Sequence, residues 1–126
     1  AMSDDVIEEY TNDCRIVHEE RMLPDLYHFE RSGYRIKSFE NPDKSRLYAD
    51  IYELVGGFDE GNSGKRGVPP TVARADEDIR MAYFTASVSV TYAARAFEID
   101  IERVLEKIQR LRERAEEQRS QQTGDE

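Results

Sequence analysis

The chain has 126 residues, of which 38% are hydrophobic and 36% charged, enough for one domain with a modest core and too few for two. Its net charge of -9 repels phosphate on average, which excludes nonspecific attraction to nucleic acid or an anionic membrane unless a local basic face overrides the mean. Cys14 is the single cysteine, so neither an intrachain disulfide nor an all-cysteine zinc site can form, and a reducing, cytoplasmic setting is expected.

No apolar run approaches the roughly 20 residues that span a bilayer. The N-terminal segment lacks a basic stretch followed by an apolar one, so a soluble protein not exported by that route is expected. Ala1 ahead of Met2 reads as an expression remnant.

Across residues 4–22, Val6, Ile7, Tyr10, Cys14, Val17 and Met22 fall mostly at helical spacing, with Ser3, Asp4 and Asp5 available as caps. This predicts a first helix. Pro24 suits a first helical position, so a second helix is expected over residues 25–31, packing through Leu23, Leu26, Tyr27 and Phe29 and ending at Ser32 and Gly33. Tyr34, Ile36 and Ser38 alternate with Arg35, Lys37 and Phe39, a pattern that permits a short strand in need of a partner. Asn41, Pro42 and Asp43 make a turn into a helix over about residues 44–55 that Gly56 and Gly57 end. Residues 59–67 concentrate Gly, Asp, Asn and Ser and predict a mobile loop. Asp76, Glu77 and Asp78 favour a helix start, because acids in a first turn oppose the macrodipole.

Residues 84–92 carry two patterns at once. Phe84, Ala86, Val88, Val90 and Tyr92 alternate with polar residues as in a strand, while Ile79, Ala82, Tyr83, Ala86, Val90, Ala93 and Phe97 make a helical stripe. The helical stripe joins Phe97, Ile101, Val104, Ile108, Leu111 and Ala115 in register, at alternating spacings of four and three. Such a narrow seam suits one helix against another. The expected architecture is therefore mainly α: a single domain over residues 1–126, a small helical bundle with a long C-terminal helix in dimeric, coiled-coil-like packing, or α+β if residues 84–92 are a strand paired with residues 34–39. Phe97, Ile101, Val104, Ile108 and Leu111 are the expected oligomer interface, and the polar tail over residues 119–126 is expected to fray.

Ala94, Phe97, Ile99, Val104 and Ile108 have a spacing that resembles the helix-turn-helix of Fis-type DNA-binding domains. The resemblance covers residues 94–108, about an eighth of the chain, and implies two helices held together by those apolar residues, with the second entering the major groove. Asp100 would cap that second helix, Glu98 stands where the family usually has glycine, and Arg103, Lys107 and Arg110 are the DNA-binding candidates. Arg21 and His28 are spaced as in the motif of HEPN-type ribonucleases, which implies phosphate stabilisation by the arginine and acid–base work by the histidine.

Other constellations carry less. Cys14 and His18 would stand one turn apart on a helix, with Glu19, Asp25 or His28 in reach, yet two ligands do not make a metal site. Lys65 and Arg66 lie in a glycine-rich loop without the lysine-serine or lysine-threonine of a phosphate loop. Arg31, Arg35, Lys37, Lys44 and Arg46 interleave with Tyr34, Phe39 and Tyr48, a combination that can hold single-stranded nucleic acid. The sequence assigns no catalytic residue, cofactor or metal. Its expected function is a noncatalytic, homodimeric interaction or regulatory protein, with itself, another protein or DNA as partners and no membrane; a helix-turn-helix transcription regulator is the alternative and a HEPN-like ribonuclease the third reading.

Overall fold

The computed structural model describes residues 4–60 and 67–123. Most of the loop expected over residues 59–67 lies outside the described residues, as do Lys65, Arg66 and the last three residues of the expected tail.

The N-terminal third is a four-stranded antiparallel sheet in the order β1-β2-β3-β4, formed by β1 (Asp4–Tyr10), β2 (Cys14–Glu19), β3 (Leu26–Arg31) and β4 (Tyr34–Phe39). The helices follow: α1 (Pro42–Leu54), α2 (Pro70–Ala73), α3 (Glu77–Ser87), α4 (Val90–Phe97) and α5 (Ile101–Thr123). The mainly α helical bundle is thereby overturned, and the fold class is α+β.

Turn chemistry decides the first hairpin. Asn12 and Asp13 both take left-handed φ values, 60° and 58°, and the Cys14 N–H donates to the Thr11 carbonyl at 3.3 Å. Two successive left-handed residues reverse the chain with the twist that antiparallel strands require. The second hairpin turns at Ser32 and Gly33, with φ of 52° and 82°. The expected helices over residues 4–22 and 25–31 are therefore strands. Residues 34–39 are a strand too, but their partner is β3. Residues 84–92 are helical except for a break at Val88 and Ser89, so the α+β class arises elsewhere than in the pattern first suspected.

One face of the sheet packs on α1. Ile16, Phe29 and Phe39 meet Tyr48, Ile51 and Tyr52 in a fully or nearly fully buried layer. Asn41 caps α1 by accepting from the Asp43 and Lys44 N–H groups, and Pro42 suits its first turn. Gly57, at φ 95°, lies where a Cβ would meet an Arg31 nitrogen at 3.1 Å and the Tyr52 ring at 3.3 Å. Asp76 caps α3 through the Ile79 N–H.

The heptad seam is used inside the chain. Val104 and Leu111 are 0% exposed, Ala115 1% and Ile108 7%, packed in the same core as α1 and α3. The coiled-coil expectation fails because the partner faces of the seam are helices of the same molecule. α5 runs on through residues 119–123, where the tail was expected to fray.

α4 and α5 are separate helices. Glu98 is left-handed at φ 55°; its N–H donates to the Arg95 carbonyl, and the Ile99 N–H donates back to Ala94. This pairing stops a helix and reverses its carbonyl end. Asp100 then accepts from the Arg103 and Val104 N–H groups to begin α5. The Glu98 side chain is exposed, so Glu98→Gly relieves the left-handed strain without loss of packing. We expect stabilisation of about 0.5–1 kcal/mol, after the greater freedom of unfolded glycine is deducted. The midpoint of urea unfolding should rise; a lower midpoint would contradict the assignment of strain to this residue.

Candidate functional site

The outward side of α5 is an open, shallow groove made of three depressions, the middle one lined by α5 residues alone. At the α4–α5 turn a concavity of about 660 Å³ is lined by Thr91, Ala94, Arg95, Glu98, Ile101 and Glu102. Glu102 is shared with a second concavity of about 520 Å³ that includes Arg103, Leu105 and Gln109. Leu105 and Gln109 continue into a third of about 520 Å³, which reaches Lys44 and Leu47 of α1 and Arg112 of α5. Ile101 and Leu105 are 42% and 52% exposed, two large aliphatic residues one helical turn apart facing water.

Charge is graded along this groove. Glu98, Asp100 and Glu102 outnumber Arg95 at the end near the turn. In the middle Glu102 and Glu106 balance Arg103 and Arg110, and toward α1 Lys44 and Arg112 outnumber Asp43. Neither a histidine nor a cysteine lines any of the three concavities, so the groove suits binding more than proton transfer.

The DNA-binding candidates do not share one free face. Arg103 is half-exposed and pairs with Glu106 at 3.2 Å. Lys107 is folded onto α3, with its Nζ 3.4 Å from Asp78 and 3.8 Å from Glu77. Arg110 is half-exposed, 3.9 Å from Asp78. Of the expected oligomer-interface residues, Val104, Ile108 and Leu111 are core, Phe97 packs on Phe84 with ring centres 6.2 Å apart, and only Ile101 reaches the surface strongly.

The opposite side of the sheet places the remaining candidates. Arg21 lies exposed in the connection between β2 and β3, whereas His28 is buried in β3 with both ring nitrogens bonded to Glu19 and Ser38. The phosphate-binding pair is not assembled. Cys14 and His18 both belong to β2, four residues apart, about 13 Å along a strand. Cys14 is buried toward the core, and His18 bonds Asp25 at 2.9 Å while stacking on Tyr27. Among the described residues no group of three or more His, Cys, Asp or Glu is placed to hold a metal.

The basic and aromatic residues of β4 and α1 are split: Tyr34 and Arg35 are exposed, and the others are mostly drawn inward or paired. Phe39 and Tyr48 are core, and Arg46 pairs with Glu8 at 2.9 Å. Lys37 lies over the Tyr48 and Tyr83 rings, at 5.6 and 5.5 Å, and 3.7 Å from Glu60. Glu60 accepts from both tyrosine hydroxyls. Burial, reinforced by that carboxylate, pushes the Tyr83 hydroxyl up to about 12 and Tyr48 well above its ordinary value.

On the outer face the Glu19 carboxyl is held below the usual carboxylate range, chiefly by its hydrogen bond from His28; at the sheet's end, on the face of Ile16 and Phe29, Asp25 is likewise held down by His18. Depressed folded values contribute stability that is complete above the unfolded carboxylate range and is lost as the pH falls through the folded values. The groove and this outer-face network were both missed by sequence reasoning, the first because exposure of Ile101 and Leu105 depends on how α5 rolls onto its neighbours.

No helix among the described residues is long and apolar enough to cross a membrane. No protein-family model, no curated protein and no solved structure matches the chain.

Proposed function

We propose that this is a homodimeric interaction protein of the regulatory kind, in which two copies pair in antiparallel sense through the outward face of α5. The observation that carries the reading is the pair Ile101 and Leu105, exposed on the outward face of α5 between an acidic end near the α4–α5 turn and a more basic end toward α1. Burying such side chains contributes about 25 cal/mol per Å² removed from water. Antiparallel pairing sets Glu98, Asp100 and Glu102 of one copy near Arg110 and Arg112 of the other, whereas parallel pairing opposes like charges. The interface so formed shares Ile101 with the heptad seam, whose Val104, Ile108 and Leu111 are already buried within the chain. A buried free thiol at Cys14 suits the reducing cytoplasm.

Sedimentation equilibrium tests this. At micromolar concentration the protein should have twice its 14.6 kDa chain mass, and Leu105→Glu should give the single-chain mass with an unchanged far-ultraviolet spectrum. Glu102→Arg should weaken the dimer, and adding Arg110→Glu should restore it. A wild-type monomer under these conditions would end the reading.

The break at Glu98 favours a second reading, DNA recognition by the start of α5, since a left-handed turn between two helices is what a helix-turn-helix requires. Three acids at that start oppose phosphate, which places this reading second. Selection from a random duplex library at low salt decides it: an enriched site whose binding weakens steeply with salt and with Arg103→Ala supports it, and no enrichment removes it.

A further inference from the structure

The solvent side of the sheet carries three hydrogen-bonded groups from three neighbouring strands. Glu19 ends β2, His28 sits in β3, and Ser38 of β4 is directly opposite His28. His28 is 1% exposed; its Nε2 is 2.7 Å from Glu19 Oε1 and its Nδ1 is 2.6 Å from Ser38 Oγ. A carboxylate can only accept, so Nε2 carries the ring proton of the neutral imidazole. Nδ1 is then the lone-pair nitrogen, and the Ser38 hydroxyl donates into it. Hydroxyl, base and orienting carboxylate stand in the sequence that activates a nucleophile.

Access differs sharply along the chain of groups. The imidazole is shielded, whereas Ser38 is exposed on β4, which has no strand on its far side among the described residues. Arg35, half-exposed, brings its guanidinium to 3.9 Å from Glu19 and 3.8 Å from Glu30, so the orienting carboxylate is itself held by a cation. A solvated serine needs no buried base, and a face whose only task is to be polar is built at lower cost without a desolvated histidine.

We propose that Ser38 is an activated nucleophile that accepts acyl groups from small esters. Ser38 Oγ bonds to the acyl carbon as its proton passes to His28 Nδ1. The ester C–O bond breaks, and the departing alkoxide takes that proton. A water then gives a proton to Nδ1 and its oxygen to the acyl carbon, which releases the carboxylic acid and returns the proton to Ser38. His28 is the base; Glu19 is a positioning residue.

The test is covalent labelling of the native protein with an alkyl fluorophosphonate, followed by intact-mass and peptide mass spectrometry. One adduct is expected, on Ser38, with none on Ser38→Ala. Glu19→Gln should slow labelling roughly tenfold or more while the melting curve is preserved, and Glu19→Asp should recover part of the rate. p-Nitrophenyl acetate should be cleaved with loss of that activity in Ser38→Ala. The proposal is overturned by the absence of an adduct, by an adduct shared among serines at the rate seen in urea, or by a Glu19→Gln rate equal to wild type.

Discussion

Phe29→Ala is expected to lower unfolding free energy by about 3–5 kcal/mol, the range for deleting a fully buried aromatic ring. Phe29 is 0% exposed and meets Tyr48 and Tyr52 edge-on, with ring centres 5.4 and 4.9 Å away. These rings are the joint between sheet and helices, since α1 carries the packing of β2, β3 and β4 onto the rest of the molecule. The layer has no flexible side chain at its centre to refill the void. For a domain with net stability of about 5–15 kcal/mol, such a loss brings unfolding close to room-temperature conditions. Equilibrium urea unfolding measures it; a change below about 1 kcal/mol would mean that sheet and α1 do not share one core.

Arg119→Ala should cost about 3 kcal/mol, because it takes from buried Glu53 and Asp50 the cation both bond and leaves Asp50 only the more distant Arg112, at 4.0 Å. Arg119 donates to Asp50 Oδ1 at 2.9 Å and Glu53 Oε1 at 2.7 Å. The other Glu53 oxygen accepts from the Thr11 N–H and hydroxyl, each at 2.8 Å, so a single cluster ties the first hairpin, α1 and the end of α5. The partners respond unequally. Pairing lifts the Arg119 guanidinium above its ordinary value, yet burial outweighs the arginine at Asp50 and raises that carboxyl. Burial prevails at Asp50 because its side chain is 7% exposed and shares Arg119 with Glu53.

The sign for pH follows from the raised Asp50 value. Its folded carboxyl holds a proton more tightly than the unfolded one, so its contribution favours the fold most in acid and declines as the pH rises through the folded value. Arg119→Ala removes the opposing cation and should strengthen this dependence, so the variant recovers part of its lost stability when the pH is lowered from 7 toward 5. Asp50→Asn at neutral pH should cost far less than Arg119→Ala. Thermal melts across that pH range decide both; equal losses for the two variants would contradict the assignment.

Much of the C-terminal half was legible from local chemistry. Gly56 with Gly57 and Asp76 mark ends that the structure reproduces for α1 and α3, whereas α1 starts two residues before its expected beginning, with Asn41 as its cap and Pro42 inside it. The N-terminal half was not, for a reason visible in the ladder. The register shifts between Val6 and Glu8, so Val6, Ile7 and Tyr10 lose strict alternation and, with Cys14 and Val17, mimic a helical repeat. The turns supplied no correction, because Asn12 and Asp13 lack the glycine that usually marks a hairpin, and Ser32 with Gly33 reads equally well as a helix stop.

The seam around Val104 and Leu111 was read correctly as apolar but carries no label for its partner. Spacing of three and four says that a helix face is covered, not whether the cover lies in the same chain. His28 stood out in sequence, yet Glu19 and Ser38 become its neighbours only through strand pairing, which a helical reading of residues 4–31 cannot produce. The alternation of Leu26, His28 and Glu30 on one side with Tyr27 and Phe29 on the other was the signal available.

The most direct measurement of how the molecule works is an isotope-filtered NOE experiment on a mixture of ¹³C-methyl-labelled and unlabelled protein. Contacts between copies are expected to involve the methyls of Ile101 and Leu105, while those of Val104 and Leu111 contact only their own chain. Contacts between copies confined to the sheet, or none at all at concentrations where the protein sediments as a dimer, would contradict pairing through α5.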